Sequence, residues 1–168
     1  GPITAIRIEG PNQSVDYRIK KLSEELKLGN NEFVILETEQ SNIFWEKTKC
    51  LQVFSELKNN LIRIVIPPSE SFEVINKIKI YDIKYFIDWG GNLIWVQLDN
   101  ISLKILREIK EIVSNAKGYL TVIKIEENLK ASVDIFTIDP IKYRITEKIK
   151  KSFDPKRILN PGKMYSGI

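Results

Sequence analysis

Apolar positions recur with two different periods along the chain. From Ile3 to Glu9 they alternate, with Ile6 and Ile8 on one face and Arg7 and Glu9 on the other, which predicts a half-buried strand. Beyond Gly10-Pro11-Asn12 the rhythm changes. Val15, Ile19, Leu22 and Leu26 fall on one helical stripe that Gly29-Asn30-Asn31 ends. Phe33 to Glu37 predicts a second strand. A helix from about Ser41 to Leu57 follows, with Ile43, Phe44, Cys50, Leu51 and Phe54 turned inward. Leu61 to Ile66 is a third strand, stopped by Pro67-Pro68, and Ser69 or Ser71 is placed to cap a helix running to about Lys77. Lys84 to Asp88 and Leu93 to Leu98 form a hairpin across Trp89-Gly90-Gly91-Asn92, where Gly and Asn suit positive φ. Ser102 to Asn115 is a helix with Leu103, Leu106, Ile109 and Val113 inward; Gly118 ends it and Tyr119 to Ile125 is the next strand. Glu126 to Ile138 has no clear period and reads as a connection. Pro140 then fits the first turn of a last helix capped by Asp139, in which Ile141, Ile145, Ile149 and Phe153 share one face while Lys142, Lys148, Lys150 and Lys151 point away. Asp154-Pro155 stops it.

Strand–helix–strand units with at least one hairpin predict an α+β fold: a ferredoxin-like, mixed or antiparallel sheet with helices on one face. The 168 residues suit a single domain, and 43% hydrophobic against 29% charged residues is a globular balance rather than a disordered one. No apolar run approaches the roughly 18 residues of a membrane span, and no basic-then-apolar leader opens the chain. The Gly1-Pro2 start without Met fits a domain excised from a longer chain.

Composition narrows the chemistry. There is no histidine, so a Ser-His-Asp triad, an imidazole base and imidazole metal ligation are excluded within this chain. The one cysteine, Cys50, rules out an internal disulfide and reads as a buried small hydrophobe in preference to a reactive thiol. Asp82, Asp88, Asp99 and Asp134 lack metal-ligand spacing, so no metal is assigned. The net charge of +4 comes from lysines scattered along helix faces, which favours solvated surfaces over a nucleic-acid groove. Neither Gly-x-Gly-x-x-Gly nor a Walker loop is present.

Four segments carry a family resemblance. The tail Ser152 to Ile168, SFDPKRILNPGKMYSGI, joins a Phe-Asp-Pro helix stop to Leu-Asn-Pro-Gly-Lys and an aromatic finish. Ile87 to Trp95 holds an Asp-Trp-Gly-Gly turn with a second Trp shortly after it, Leu61 to Pro67 is an Arg-centred strand ending in Pro, and Asn115 to Thr121 is a helix-to-strand junction at Gly118. In this order the pieces resemble the FAD-linked oxidases of the vanillyl-alcohol oxidase type, and within them the C-terminal cap of the FAD-binding, E-type subunit of glycolate oxidase.

The resemblance implies that residues 1–168 are a single cap (substrate) domain with a returning tail over 154–168. The N-terminal FAD-binding domain is absent from this chain, so FAD is expected in the full-length protein and not on this chain alone. It implies as partners the protein's own FAD domain, sister glycolate oxidase subunits including an iron–sulfur subunit, and a 2-hydroxy acid substrate. The implied setting is cytoplasmic, with peripheral inner-membrane association through partner subunits. Catalytic relatives usually carry cap-domain histidines, so no catalytic residue is assigned here and the chain alone is expected to be inactive.

Arg63 is the candidate for gripping the substrate carboxylate, since a planar guanidinium fork binds one bidentately; the alternative is the polar side of a half-exposed strand or a structural ion pair. Trp89 is a candidate substrate contact, although for it and Trp95 core or inter-domain packing is the favoured reading. Asn160, Gly162 and Lys163 form a tail turn that the resemblance places near the flavin; otherwise they are a turn with a solvated lysine. A different class stays open: a non-catalytic ferredoxin-like binding module, with Tyr81 and Tyr85 available to stack on RNA bases, or an orphan cap from a split gene.

Overall fold

The computed structural model describes residues 3–29, 32–54, 60–137, 139–163, 165 and 168. It divides into two compact units, Gly1–Gln52 and Val53–Ile168.

The first unit holds two helices, α1 (Asn12–Glu25) and α2 (Thr38–Lys49). The strands expected over 3–9 and 33–37 do not form; neither segment joins a ladder. Alternation specifies a strand only where a neighbour accepts and donates the ladder hydrogen bonds, and Ile3 and Val34 stand exposed. Helix α1 buries no residue fully; Val15, Ile19 and Leu22 are half-buried and Leu26 is exposed. Helix α2 ends at Lys49, earlier than its apolar pattern predicts, because Leu51 turns to φ 56°; residues 55–57 of the expected helix lie outside the described residues. Cys50, just past that end, is exposed and not the buried hydrophobe expected, and Ile43 is exposed as well.

The second unit is built on β1 (Asn60–Val65), α3 (Pro68–Ile78), β2 (Ile83–Asp88), β3 (Leu93–Leu98), α4 (Leu103–Asn115) and β4 (Tyr119–Lys124). The four strands pair in the order β2-β3-β1-β4, every pair antiparallel. This βαββαβ arrangement is the α+β, ferredoxin-like plan with helices on one face. The core forms where α3 and α4 meet the sheet: Ile62, Ile64, Ile94, Val96, Leu98, Leu120 and Val122 from the strands against Val74, Ile75, Ile78, Leu106, Ile109 and Val113. Because successive strand residues alternate faces, this fixes which side chains occupy the other face.

Local chemistry explains the joints. Pro67, not Ser69 or Ser71, occupies the N-cap of α3, with Pro68 in its first turn; the Ser71 hydroxyl donates instead to the Pro68 carbonyl at 2.9 Å. In the β2–β3 turn Trp89, Gly90 and Gly91 take positive φ, whereas Asn92, expected to do so, stays at φ −79°. Its side chain serves another purpose, donating to the Ile66 carbonyl at 2.7 Å and tying the turn to the end of β1. Ser102, read as the first residue of the helix, is instead the N-cap of α4 and accepts from the Ile105 amide.

Beyond β4 the expected plain connection contains one helical turn, α5 (Glu127–Lys130), and an added edge. Val122 N–H donates to the Ile135 carbonyl and Thr137 N–H to the Leu120 carbonyl, so 135–137 lies along β4. The last helix, α6 (Pro140–Phe153), starts at Asp139 as predicted. No described helix is long and apolar enough to cross a membrane.

Candidate functional site

The face of the sheet opposite α3 and α4 carries one continuous row across all four strands. Thr121 on β4 lies opposite Arg63 on β1, Arg63 opposite Trp95 on β3, and Trp95 opposite Phe86 on β2. All four are half-buried. A second row beside it runs Tyr119, Val65, Leu93 and Asp88. Trp89 follows Asp88 directly, and the Asp88 carboxylate accepts its amide at 2.7 Å, which helps hold the φ of 53° that a bulky residue rarely adopts.

Arg63 is thereby placed among aromatics. Its guanidinium carbon lies 5.6 Å from the Trp89 ring centroid and 5.9 Å from that of Trp95, both within cation–π range. Among the described residues it has no carboxylate partner and no hydrogen-bond acceptor. Strand alternation put Arg63 on this face and strand pairing sets Trp95 opposite it, but Trp89 comes from the turn, whose geometry the sequence pattern did not reveal.

Next to this row is a cavity of about 340 Å³, lined by Tyr119, Thr121, Phe136, Lys142 and Tyr165 among others. Thr121, the strand neighbour of Arg63, is common to the row and the cavity. The Lys142 ammonium donates to the Tyr119 hydroxyl at 2.9 Å and lies 4.5 Å from that ring's centroid. This contact holds the Lys142 pKa above its ordinary value. Tyr165 is buried against Phe136 and Tyr143, and burial pushes its phenol pKa up. The Lys142–Tyr119 pair was not foreseen. Its only sequence signal was the position of Lys142 in the first turn of α6, where it read as a solvated lysine.

The tail is ordered by a charge clamp. Asp154 accepts from the Ile158 and Leu159 amides, each at 2.9 Å, while Lys150 Nζ stands 2.8 Å from its carboxylate. The Asp154 side chain is almost fully buried, and Lys150 followed by the amides holds its carboxyl down to about 2. Asp154 therefore does more than end a helix. Asn160 and Gly162 follow with φ of 46° and 66°; the Lys163 amide donates to the Asn160 carbonyl and the Gly162 amide to that of Ile168. Asn160, Gly162 and Lys163 are exposed. Among the described residues no hydrogen bond or ring contact joins this turn to Arg63 or Trp89, so the expected substrate and cofactor residues form two groups on the unit.

Residues 136–164 match the family described as FAD linked oxidases, C-terminal domain. That segment holds α6, the Asp154 clamp and the tail turn. The chain is also similar to glycolate oxidase subunit GlcE of Escherichia coli (strain K12), 29% identical over 164 residues, which is 97% of this chain and 39% of that protein. The chain thus spans about two-fifths of the length of this curated relative. No solved structure matches the chain. The tail match and the near end-to-end alignment support a C-terminal domain of the GlcE type.

Proposed function

We propose that this chain is the cap region of an FAD-dependent oxidoreductase that oxidises 2-hydroxy acids, of the glycolate oxidase kind. The observation that carries the reading is Arg63: a half-buried guanidinium with no acidic partner among the described residues, centred on a sheet face in a chain similar to a glycolate oxidase subunit. A buried charge is normally paired, so a guanidinium held only by indoles is suited to an incoming carboxylate. Its planar fork then fixes the acid bidentately and sets the direction of the hydroxyl-bearing carbon.

The cavity of about 340 Å³ is at the small end of ligand pockets and does not accommodate a dinucleotide. In this reading FAD is held by other parts of the whole protein, where it supplies the hydride acceptor. This chain binds and orients the acid and keeps water from it. The tail turn of Asn160, Gly162 and Lys163 meets the bound flavin, with Lys163 adding positive charge. The exposed stripe of Ile141, Ile145, Ile149 and Phe153 on α6 packs on the flavin-binding part. Sister subunits receive the electrons.

The test is to express the whole coding sequence and record its absorbance. A yellow protein bleached by a 2-hydroxy acid, with bleaching lost in Arg63→Ala, is the expected result. A colourless full-length protein would remove the reading.

A further inference from the structure

The residues around Arg63 say which 2-hydroxy acid fits. We propose that the Arg63 site selects acids bearing an aromatic substituent, of the mandelate or phenyllactate kind, over the two-carbon glycolate; this rests on the reading of Arg63 as a carboxylate site.

The argument begins with what the guanidinium has left to offer. The Trp89 and Trp95 ring centroids lie 5.6 and 5.9 Å from its central carbon, and its N–H donors have no acceptor among the described residues. A carboxylate that takes those donors brings its substituent beside the rings that flank the cation. Of these rings Trp89 is 59% exposed and Trp95 half-buried beside the half-buried Phe86, while Tyr119 in the neighbouring row is 53% exposed with the Lys142 ammonium over its ring. Glycolate has no atoms to place against them and leaves the indole wet. A phenyl substituent covers that surface and stacks on it in an offset or edge-on geometry.

Charge favours the same conclusion. The acidic residue on this face nearest the turn is Asp88, and its carboxylate is occupied by the Trp89 amide. Lys142, across the cavity, is engaged by Tyr119 and lies 3.7 Å from Asp139. A cationic fork without an acidic partner among the described residues, set beside aromatic surface, suits a monoanion with an apolar body better than a small diacid. Covering one exposed ring face is expected to tighten binding by about tenfold to a hundredfold.

The experiment is calorimetric titration of the chain with glycolate, lactate, mandelate, phenyllactate and the neutral benzyl alcohol. Mandelate or phenyllactate binding at least about tenfold tighter than glycolate is the expected result. Arg63→Gln should bring mandelate down to the level of benzyl alcohol, with Arg63→Lys in between. Trp89→Ala should draw mandelate towards glycolate without changing glycolate, and Trp89→Phe should restore the preference. Each variant's circular dichroism spectrum checks that it is folded. Glycolate binding as tightly as mandelate, mandelate binding indifferent to Trp89→Ala, or no acid binding at all would each overturn the proposal.

The oxidase reading fails separately. A flavin-free full-length protein whose cap still selects mandelate removes the oxidase and leaves the aromatic-acid site. A yellow full-length protein bleached by glycolate and not by mandelate keeps the oxidase and removes the selectivity.

Discussion

Helices α4 and α6 carry the same apolar rhythm and end in opposite surroundings. On α4, Leu106, Ile109 and Val113 are buried against the sheet. On α6, Ile141, Ile145, Ile149 and Phe153 repeat as regularly, yet all four are exposed and the helix buries no residue fully. Amphipathic periodicity reports that a face needs covering; it does not report that the cover lies in the same chain. The docking proposed above would give the α6 stripe such a cover from outside the residues of this chain.

The sharpest way to break this comparison is to truncate both stripes. Ile109→Ala opens a cavity in a fully buried position and should cost about 2–5 kcal/mol in urea unfolding of the chain. Phe153→Ala removes a larger side chain but one 85% exposed, and should stay within about 0.5 kcal/mol. Equal losses at both sites would show that α6 is packed within the chain after all. In the whole protein the proposed docking predicts that Phe153→Ala lowers the thermal midpoint while leaving the isolated chain unchanged.

Next in size is the joint that brings α4 back to the sheet. A Cβ at Gly118 would stand 2.9 Å from Val113 Cγ1 and 3.0 Å from the Val65 carbonyl oxygen. Helix and strand approach too closely there for any side chain, so Gly118→Ala should cost about 1–3 kcal/mol by the same unfolding measurement.

Smaller again are the caps, which the two helices share. Ser102 Oγ accepts the Ile105 amide at 3.2 Å, and Ser102→Ala should cost about 1 kcal/mol. Asp139 Oδ1 accepts two amides, those of Ile141 and Lys142, both at 2.9 Å. Asp139→Ala should fray the first turn of α6, seen as faster amide exchange at Ile141 and Lys142, while the global unfolding midpoint barely moves.

These elements also mark how far the sequence could be read. Within the second unit, every strand and long helix was legible because each carries its own signal: a short apolar run stopped by Pro67-Pro68 in β1, a Gly-Gly-Asn turn between β2 and β3, an inward stripe in α4, Asp139 as the cap of α6. Position 118 was legible as a helix end but not as a close approach, since Val65 and Val113 meet there only in three dimensions. The strands expected over 3–9 and 33–37 failed for a related reason. Alternation is local, whereas a ladder needs a partner. At the candidate site, the face of Arg63 followed from strand period, but Trp95 reaches it through the β1–β3 register and Trp89 through a turn of positive φ, and the Lys142–Tyr119 contact depends on where α6 comes to lie. The tail's resemblance was visible as a motif, while the role of Asp154 was hidden because Lys150, Ile158 and Leu159 converge on it only once the chain has turned.

That clamp gives the smallest and most local prediction. Lys150 first, then the amides of Ile158 and Leu159, lower the Asp154 carboxyl to about 2, whereas an unfolded aspartate titrates near about 4. A lowered folded pKa means the ionised form is favoured by the folded tail. Its contribution is therefore complete above about pH 4 and is lost as the pH falls through about 2. The amide resonances of Ile158 and Leu159 should shift together in that window, because both donate to the same carboxylate. Asp154→Asn keeps an acceptor oxygen but removes the charge, so the shared acid transition should vanish while the α4 side of the molecule is unaffected. If the two amides instead moved near pH 4 in the parent chain, the carboxylate would be titrating as a solvated group. The tail's order would then rest on the burial of Tyr165 against Phe136 and Tyr143 rather than on the clamp.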